Sequence, residues 1–179
     1  MKTLAALAAL TVALATPALA DLKPGAKAPD FTAQAYLAGQ PFTFNLADAL
    51  KKGPVVVYFF PAAHTSGCNL EAHLFSDAID QFKAQKATVI GVTAGKVSEL
   101  ADFSKETEHC GGKFPVAADP GAVIAKSYDS VLAQKPDWSS RTSYVIAKDG
   151  KIAHVYDNLN PNDHVNETLA AVKALNGAK

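Results

Sequence analysis

The chain alternates short, wholly apolar runs with longer amphipathic stretches. "PVVVYFF", residues 54–60, is wholly apolar, and β-branched or aromatic after Pro54, which predicts a strand buried on both faces. From Asn69 to about Ala84, Leu70, Leu74, Phe75, Ala78, Ile79 and Phe82 recur at helical spacing. "ATVIGVTA", 87–94, reads as a second buried strand. A helix from Val97 to about Glu108 follows, ended by Gly111-Gly112. "FPVAADP" reads as a short strand and turn, "GAVIAKSYDSV" as a helix, and "LAQKPDWSS" as a polar loop. "RTSYVIAKDGKIAHVYD" is two strands joined through Lys148-Asp149-Gly150, an Asp-Gly hairpin signal. "NDHVNETLAAVKALNG" is a closing helix, capped by Asn162 or Asp163 and ended by Gly177. Ahead of these lies a Pro- and Gly-punctuated arm. It holds a short strand at Phe42–Phe44 and a short helix capped by Asn45 and ending near Lys51.

Strands alternating with helices predict an α/β fold. Its central sheet is expected to be mostly parallel, with helices on both faces and an antiparallel edge hairpin. Residues 21–179 suit one domain with a sizeable core. Residues 1–20, "MKTLAALAALTVALATPALA", have a lysine, an apolar run and an Ala-x-Ala end, the pattern of a cleaved secretory signal peptide. The run is too short for a membrane span. The expectation is an exported, soluble protein, and the short Ala-rich signal suits a bacterial periplasm. Lys and Arg total 17 and Asp and Glu total 17. That balance gives no reason to expect nucleic acid or an anionic membrane as partner.

Two cysteines, Cys68 and Cys110, stand in this chain, which is expected to be exported. There is no C-x-x-C, and neither cysteine has a companion at zinc-finger spacing. Cys68 follows the first long strand, where the next helical pattern begins. In open α/β sheets, ligands bind at the carboxyl ends of the strands. An ordinary thiol is mostly protonated at neutral pH. The free N–H groups and macrodipole of a helix start favour the thiolate, which is the nucleophile. A buried, inert thiol is the alternative. Thr65 can cap the helix or point its hydroxyl at the sulfur. Pro61 can simply end the strand or shield the sulfur from water. His64 can tune the thiolate or hold a metal, but a surface placement is the plainer reading.

The stretch Pro61-x-x-x-Thr65-x-x-Cys68 resembles the active-site pattern of the peroxiredoxins. "GCNLEA", 67–72, is similar to the segment of the bacterioferritin-comigratory-protein, or Q, subfamily. "VIGVTA", "FPVAADP" and "RTSYVIAKDGKI" recur in that family in the same order. The resemblance covers roughly residues 23–175 and implies a thioredoxin-like fold and a thiol peroxidase. It requires one arginine from a distant strand. This chain has a single arginine, Arg141, at the head of "RTSYVI", among sixteen lysines. Its planar fork suits contact with a thiolate and a peroxide oxygen.

By that resemblance Cys68 attacks the terminal peroxide oxygen and Thr65 hydrogen-bonds the substrate. The Cys68 amide and Arg141 stabilise the charge that develops, and Pro61 limits solvent. Glu71 matches the subfamily glutamate and would orient Arg141; a favourable acid early in a helix is the alternative. The usual resolving position of that subfamily, five residues on, is His73. A minority of its members place the resolving cysteine on the helix after the second strand, roughly where Cys110 falls, so the resemblance makes Cys110 the candidate resolving cysteine. It could also be an incidental thiol in a one-cysteine enzyme, or half of a permanent bridge. No cofactor and no metal are expected. The partners implied are a peroxide and an external thiol reductant, which could be thioredoxin-like, glutaredoxin-like or a small thiol. The protein would be a monomer or homodimer. A thiol–disulfide oxidoreductase would want C-x-x-C, and a redox-inert binding module has no need of Thr65, Cys68 and Arg141 together.

Overall fold

A computed structural model describes residues 22–177. The signal-peptide reading of residues 1–20 lies outside the described residues.

The strands, in chain order, are β1 Thr32–Leu37, β2 Gln40–Asn45, β3 Val55–Phe59, β4 Thr88–Thr93, β5 Val116–Ala118, β6 Val131–Leu132, β7 Lys135–Ser139, β8 Thr142–Ile146 and β9 Ile152–Asp157. The helices are α1 Leu46–Lys52, α2 Ser66–Ala84, α3 Leu100–Lys105, α4 Val123–Ser127 and α5 His164–Gly177. Seven strands form one sheet in the order β2-β1-β5-β4-β3-β8-β9. The sheet is mixed rather than mostly parallel. Among its strands, parallel pairing joins β3 with β4 and β4 with β5, extended by a single parallel bridge between Ala62 and Gly95. The β1–β2 and β8–β9 hairpins close the two sides with antiparallel pairs.

The two faces of β3 separate two apolar layers, as strand alternation requires. Val56, Tyr58 and Phe60 face the layer built with Phe75, Ile79 and Phe82 of α2, Leu100 and Phe103 of α3, and Leu169 and Val172 of α5. Val55, Val57 and Phe59 face the layer built with Leu46 and Leu50 of α1, Ala125 of α4, and Tyr128 and Tyr144. All five residues of β3 are buried, as are all five of β8. Among the described residues no helix is long and apolar enough to cross a membrane.

Four differences from the sequence reading have local causes. β1 escaped it because "TAQAYL" buries alanines, Ala33 and Ala35, which are weak strand signals. The polar loop 132–140 contains β7, which pairs with β6 as a separate two-stranded ribbon. The helix expected over 97–108 is a 3₁₀ turn, Val97–Glu99, followed by α3. Glu106 is extended (φ −65°, ψ 128°) and stops it early. Cys110 therefore lies in the turns after α3, not at a helix end. The helix expected over 121–131 is reduced to α4. Buried Asp119 starts it by accepting from the Ile124 and Ala125 amides at 2.9 and 2.8 Å.

Candidate active site

The topology explains why distant residues meet. β3 and β8 are antiparallel, with Phe59 opposite Thr142. The start of β8 therefore lies beside the end of β3, and α2 begins just beyond that end. Arg141 precedes β8 by one residue, so it arrives at the first turn of α2.

α2 begins at Ser66, earlier than the apolar periodicity suggested, so Cys68 sits inside the first turn. It is 1% exposed. Arg141 Nη2 donates to Cys68 Sγ at 3.4 Å. Arg141 Nη1 donates to Glu71 Oε2 and to the Gly67 carbonyl at 3.4 Å. Arg141 Nε donates to the Leu159 carbonyl at 2.9 Å. Every nitrogen of the fork is thus directed, a geometry an ammonium could not supply. Gly67 makes room for it: a Cβ there would stand 3.1 Å from Arg141 Nη2. Burial works against the Arg141 charge, but Glu71 and Cys68 outweigh it and raise its affinity for the proton.

Glu71 lies in the second turn of α2 and is fully buried. Burial pushes its carboxyl up to about 8, with Arg141 opposing. Behind it stands His164, the first residue of α5, also fully buried. Its Nε2 donates to the Asn158 carbonyl at 2.8 Å, which leaves Nδ1 to accept from Ser143 Oγ at 2.8 Å. Burial holds this imidazole below its ordinary range, in keeping with that neutral tautomer. Glu71 Oε1 lies 3.5 Å from the same Nδ1. A carboxylate oxygen facing a ring-nitrogen lone pair is repulsive, so the geometry also favours a proton on Glu71.

Thr65 holds the N-cap position of α2, but its side chain makes no cap. Its hydroxyl donates to the Ala62 carbonyl at 3.0 Å, which leaves its lone pairs free to accept. Pro61 is half-buried, and its carbonyl accepts from Thr93 Oγ1 at 3.1 Å. Gly95 allows this crossing: a Cβ there would lie 2.3 Å from the Pro61 oxygen. His64 is not a free surface residue. Its ring nitrogens meet Glu99 Oε2 at 2.8 Å and Glu106 Oε2 at 3.0 Å.

Cys110 is fully buried, and burial raises its thiol well above the ordinary range. Both cysteines are free. They share one apolar cluster with Tyr58, Phe75, Phe103 and Phe114. The structure thus brings Cys68, Arg141 and Glu71 into direct contact, with Thr65 one turn away, and leaves Cys110 unlinked. Sequence reasoning missed His164, Ser143 and the Leu159 carbonyl. A histidine opening an otherwise apolar-faced helix was the only available signal, and it is a weak one.

A family model, the AhpC/TSA family, matches residues 24–155. Peroxiredoxin Q, chloroplastic, from Sedum lineare is 30% identical over 157 residues, covering 87% of this chain and 81% of the relative. Peroxiredoxin Q, chloroplastic, from Oryza sativa subsp. japonica is 31% identical over 152 residues, covering 84% and 67%. Among solved structures, peroxidoxin BcpB from Mycobacterium tuberculosis has a TM-score of 0.75 at 28% identity, covering 86% of this chain and 97% of that one. The reduced 2-Cys peroxiredoxin of Plasmodium vivax, at 23% identity and a TM-score of 0.76, shares the fold over 87% and 98%. The chain belongs to the AhpC/TSA family, in its peroxiredoxin Q and bacterioferritin-comigratory-protein branch, and is a thiol peroxidase with the thioredoxin-like peroxiredoxin fold.

Proposed function

We propose that this peroxidase works in the cell envelope, reducing hydrogen peroxide and organic hydroperoxides through Cys68 and regenerating it through Cys110. The observation that carries the reading is the Arg141 fork, which binds Cys68 Sγ, Glu71 and the Leu159 carbonyl at once. Arg141 and the free amides of the first turn of α2 favour the Cys68 thiolate. Thr65 accepts a hydrogen bond from the peroxide O–H, and Pro61 keeps bulk water from the sulfur. The thiolate sulfur forms a bond to the terminal peroxide oxygen as the O–O bond breaks. The leaving oxygen takes a proton and departs as water or alcohol, and Cys68 becomes a sulfenic acid. Arg141 and the Cys68 amide stabilise the charge on the separating oxygens. Glu71 is a positioning residue: in its protonated state it orients the guanidinium without cancelling its charge.

Cys110 thiol then condenses with the sulfenic acid, giving a disulfide and water. Because both cysteines are buried, the turns around Cys110 and the first turn of α2 must open for that step. An external dithiol, thioredoxin-like or glutaredoxin-like, or a small thiol returns both cysteines to thiols. The chain needs no prosthetic cofactor for these steps. Export rests on residues 1–20, and a monomer or homodimer is the expected assembly.

The test is one equivalent of hydrogen peroxide added to the reduced protein, followed by intact mass and peptide mapping. Loss of two hydrogens with a Cys68–Cys110 linkage supports the two-cysteine cycle. One added oxygen retained on Cys68 overturns the role of Cys110. Unchanged peroxide turnover in Cys68→Ser overturns the mechanism.

A further inference from the structure

We propose that His64, Glu106 and His109 form a binding site for one divalent transition-metal cation of the zinc class. The site spans the Cys68 loop and the Cys110 turn. His64 directly precedes Thr65, and His109 directly precedes Cys110. The three ligand atoms all lie within 4.8 Å of one another. Glu106 Oε2 is 3.0 Å from His64 Nε2 and 2.8 Å from His109 Nδ1.

The cluster is built rather than incidental. The His109 side chain is only 9% exposed. Its Nδ1 points into the cluster and, though close to Glu106, is not aligned for a hydrogen bond with any partner. That is a costly state for a buried nitrogen, and a bound cation would relieve it. Phe103 fixes both rings: His109 stacks on it at 4.8 Å, and His64 meets its edge at 5.4 Å. His64 is held in the left-handed region (φ 55°), uncommon for a non-glycine residue. Its other nitrogen, Nδ1, lies 2.8 Å from Glu99 Oε2. A carboxylate behind a ligating imidazole is the arrangement that orients histidines on zinc.

The donor set names the class of ion. Two imidazoles and one carboxylate suit zinc and its neighbours, while magnesium and calcium want oxygens. Tetrahedral zinc, with bonds of about 2.0–2.1 Å, separates its ligands by roughly 3.3 Å. Glu106, which is 40% exposed, reaches that spacing to both histidines by moving a few tenths of an ångström. The two histidine nitrogens, within 4.8 Å of one another, would have to close to it as well. The fourth position remains for water. The sequence expectation of no metal rested on cysteine spacing, and these ligands are brought together across 42 residues by the fold.

The test uses the reduced protein and its Cys68→Ser/Cys110→Ser form, titrated with Co²⁺ and then Zn²⁺. We expect one Co²⁺ per chain in both, with visible d–d bands of low-symmetry cobalt, no thiolate charge-transfer band, and displacement by Zn²⁺. His64→Ala and His109→Ala should abolish stoichiometric binding. Glu106→Gln, on the half-exposed side, should weaken it without touching the core. Glu99→Gln should weaken it by about 10–100-fold, as loss of an outer carboxylate does. Zn²⁺ should also slow amide exchange in both the 62–66 and 106–112 segments. Failure to bind in the double-serine form, or affinity unchanged in Glu106→Gln and His64→Ala, overturns the site. The reading holds or fails independently of whether Cys110 resolves Cys68.

Discussion

Replacing Glu71 by glutamine should remove much of the protein's loss of stability at alkaline pH. The Glu71 carboxyl is fully buried and pushed from 4.5 to about 8, chiefly by burial. The folded state therefore holds a proton that the unfolded chain releases. Stability from this group is fully present below about 4.5 and is lost as pH rises through about 8. Each unit is worth about 1.36 kcal/mol. Integrated over the interval from about pH 6 to about pH 9, the group costs roughly 2.6 kcal/mol. The Glu71→Gln side chain would keep the shape and the acceptor for Arg141 but would not titrate. The gap in Tm between variant and wild type should thus widen, in the variant's favour, by about 5–10 °C across that interval. The measurement is thermal unfolding followed by circular dichroism, on reduced protein and in a Cys68→Ser background so that the thiol does not contribute. A gap that stays constant with pH would refute the reasoning: Glu71 would then be ionised throughout, and its negative charge would partly cancel Arg141 beside the sulfur.

Arg141→Lys should slow peroxide-driven oxidation of Cys68 by about 10²–10³-fold in stopped flow, the cost of losing one aimed donor. A lysine cannot reach Cys68 Sγ, Glu71 and the Leu159 carbonyl together. Gly67→Ala should slow the same step by about tenfold with little change in Tm, because its methyl would push Arg141 Nη2 from 3.1 Å outward and misalignment is costly to rate. Asp119→Ala should lower stability by about 2–4 kcal/mol in urea unfolding, because two amides at the start of α4 lose a buried carboxylate; its peroxide chemistry should be unaltered once folded.

Most of the frame was legible from local signals. The unbroken apolar run of β3, the 3.6-residue period of α2 and the Asp-Gly turn between β8 and β9 each encode their element within a few residues. Cys68, Thr65 and Pro61 lie on one short stretch, and the family resemblance of that stretch implied a distant arginine, for which Arg141 is the single candidate. The strand, helix and turn signals and the Cys68 stretch are carried by sequence neighbours, so no tertiary information is needed to see them. The meeting of Arg141 with Cys68 across 73 residues is decided by the β3–β8 pairing. The rest depends on registers that no local pattern records. The weak, alanine-bearing segment of β1 becomes a strand only because β2 and β5 are there to pair with it. Glu71 looks like an ordinary acid near a helix start until α5 seals His164 over it, and only that burial raises its proton affinity. Cys110 follows a helix in the sequence reading but lies in a turn in the fold, because Glu106 leaves the helix to meet His64. Contacts across 42 and 70 residues are decided by which strands neighbour one another, and that choice belongs to the packed sheet rather than to any one segment of the chain.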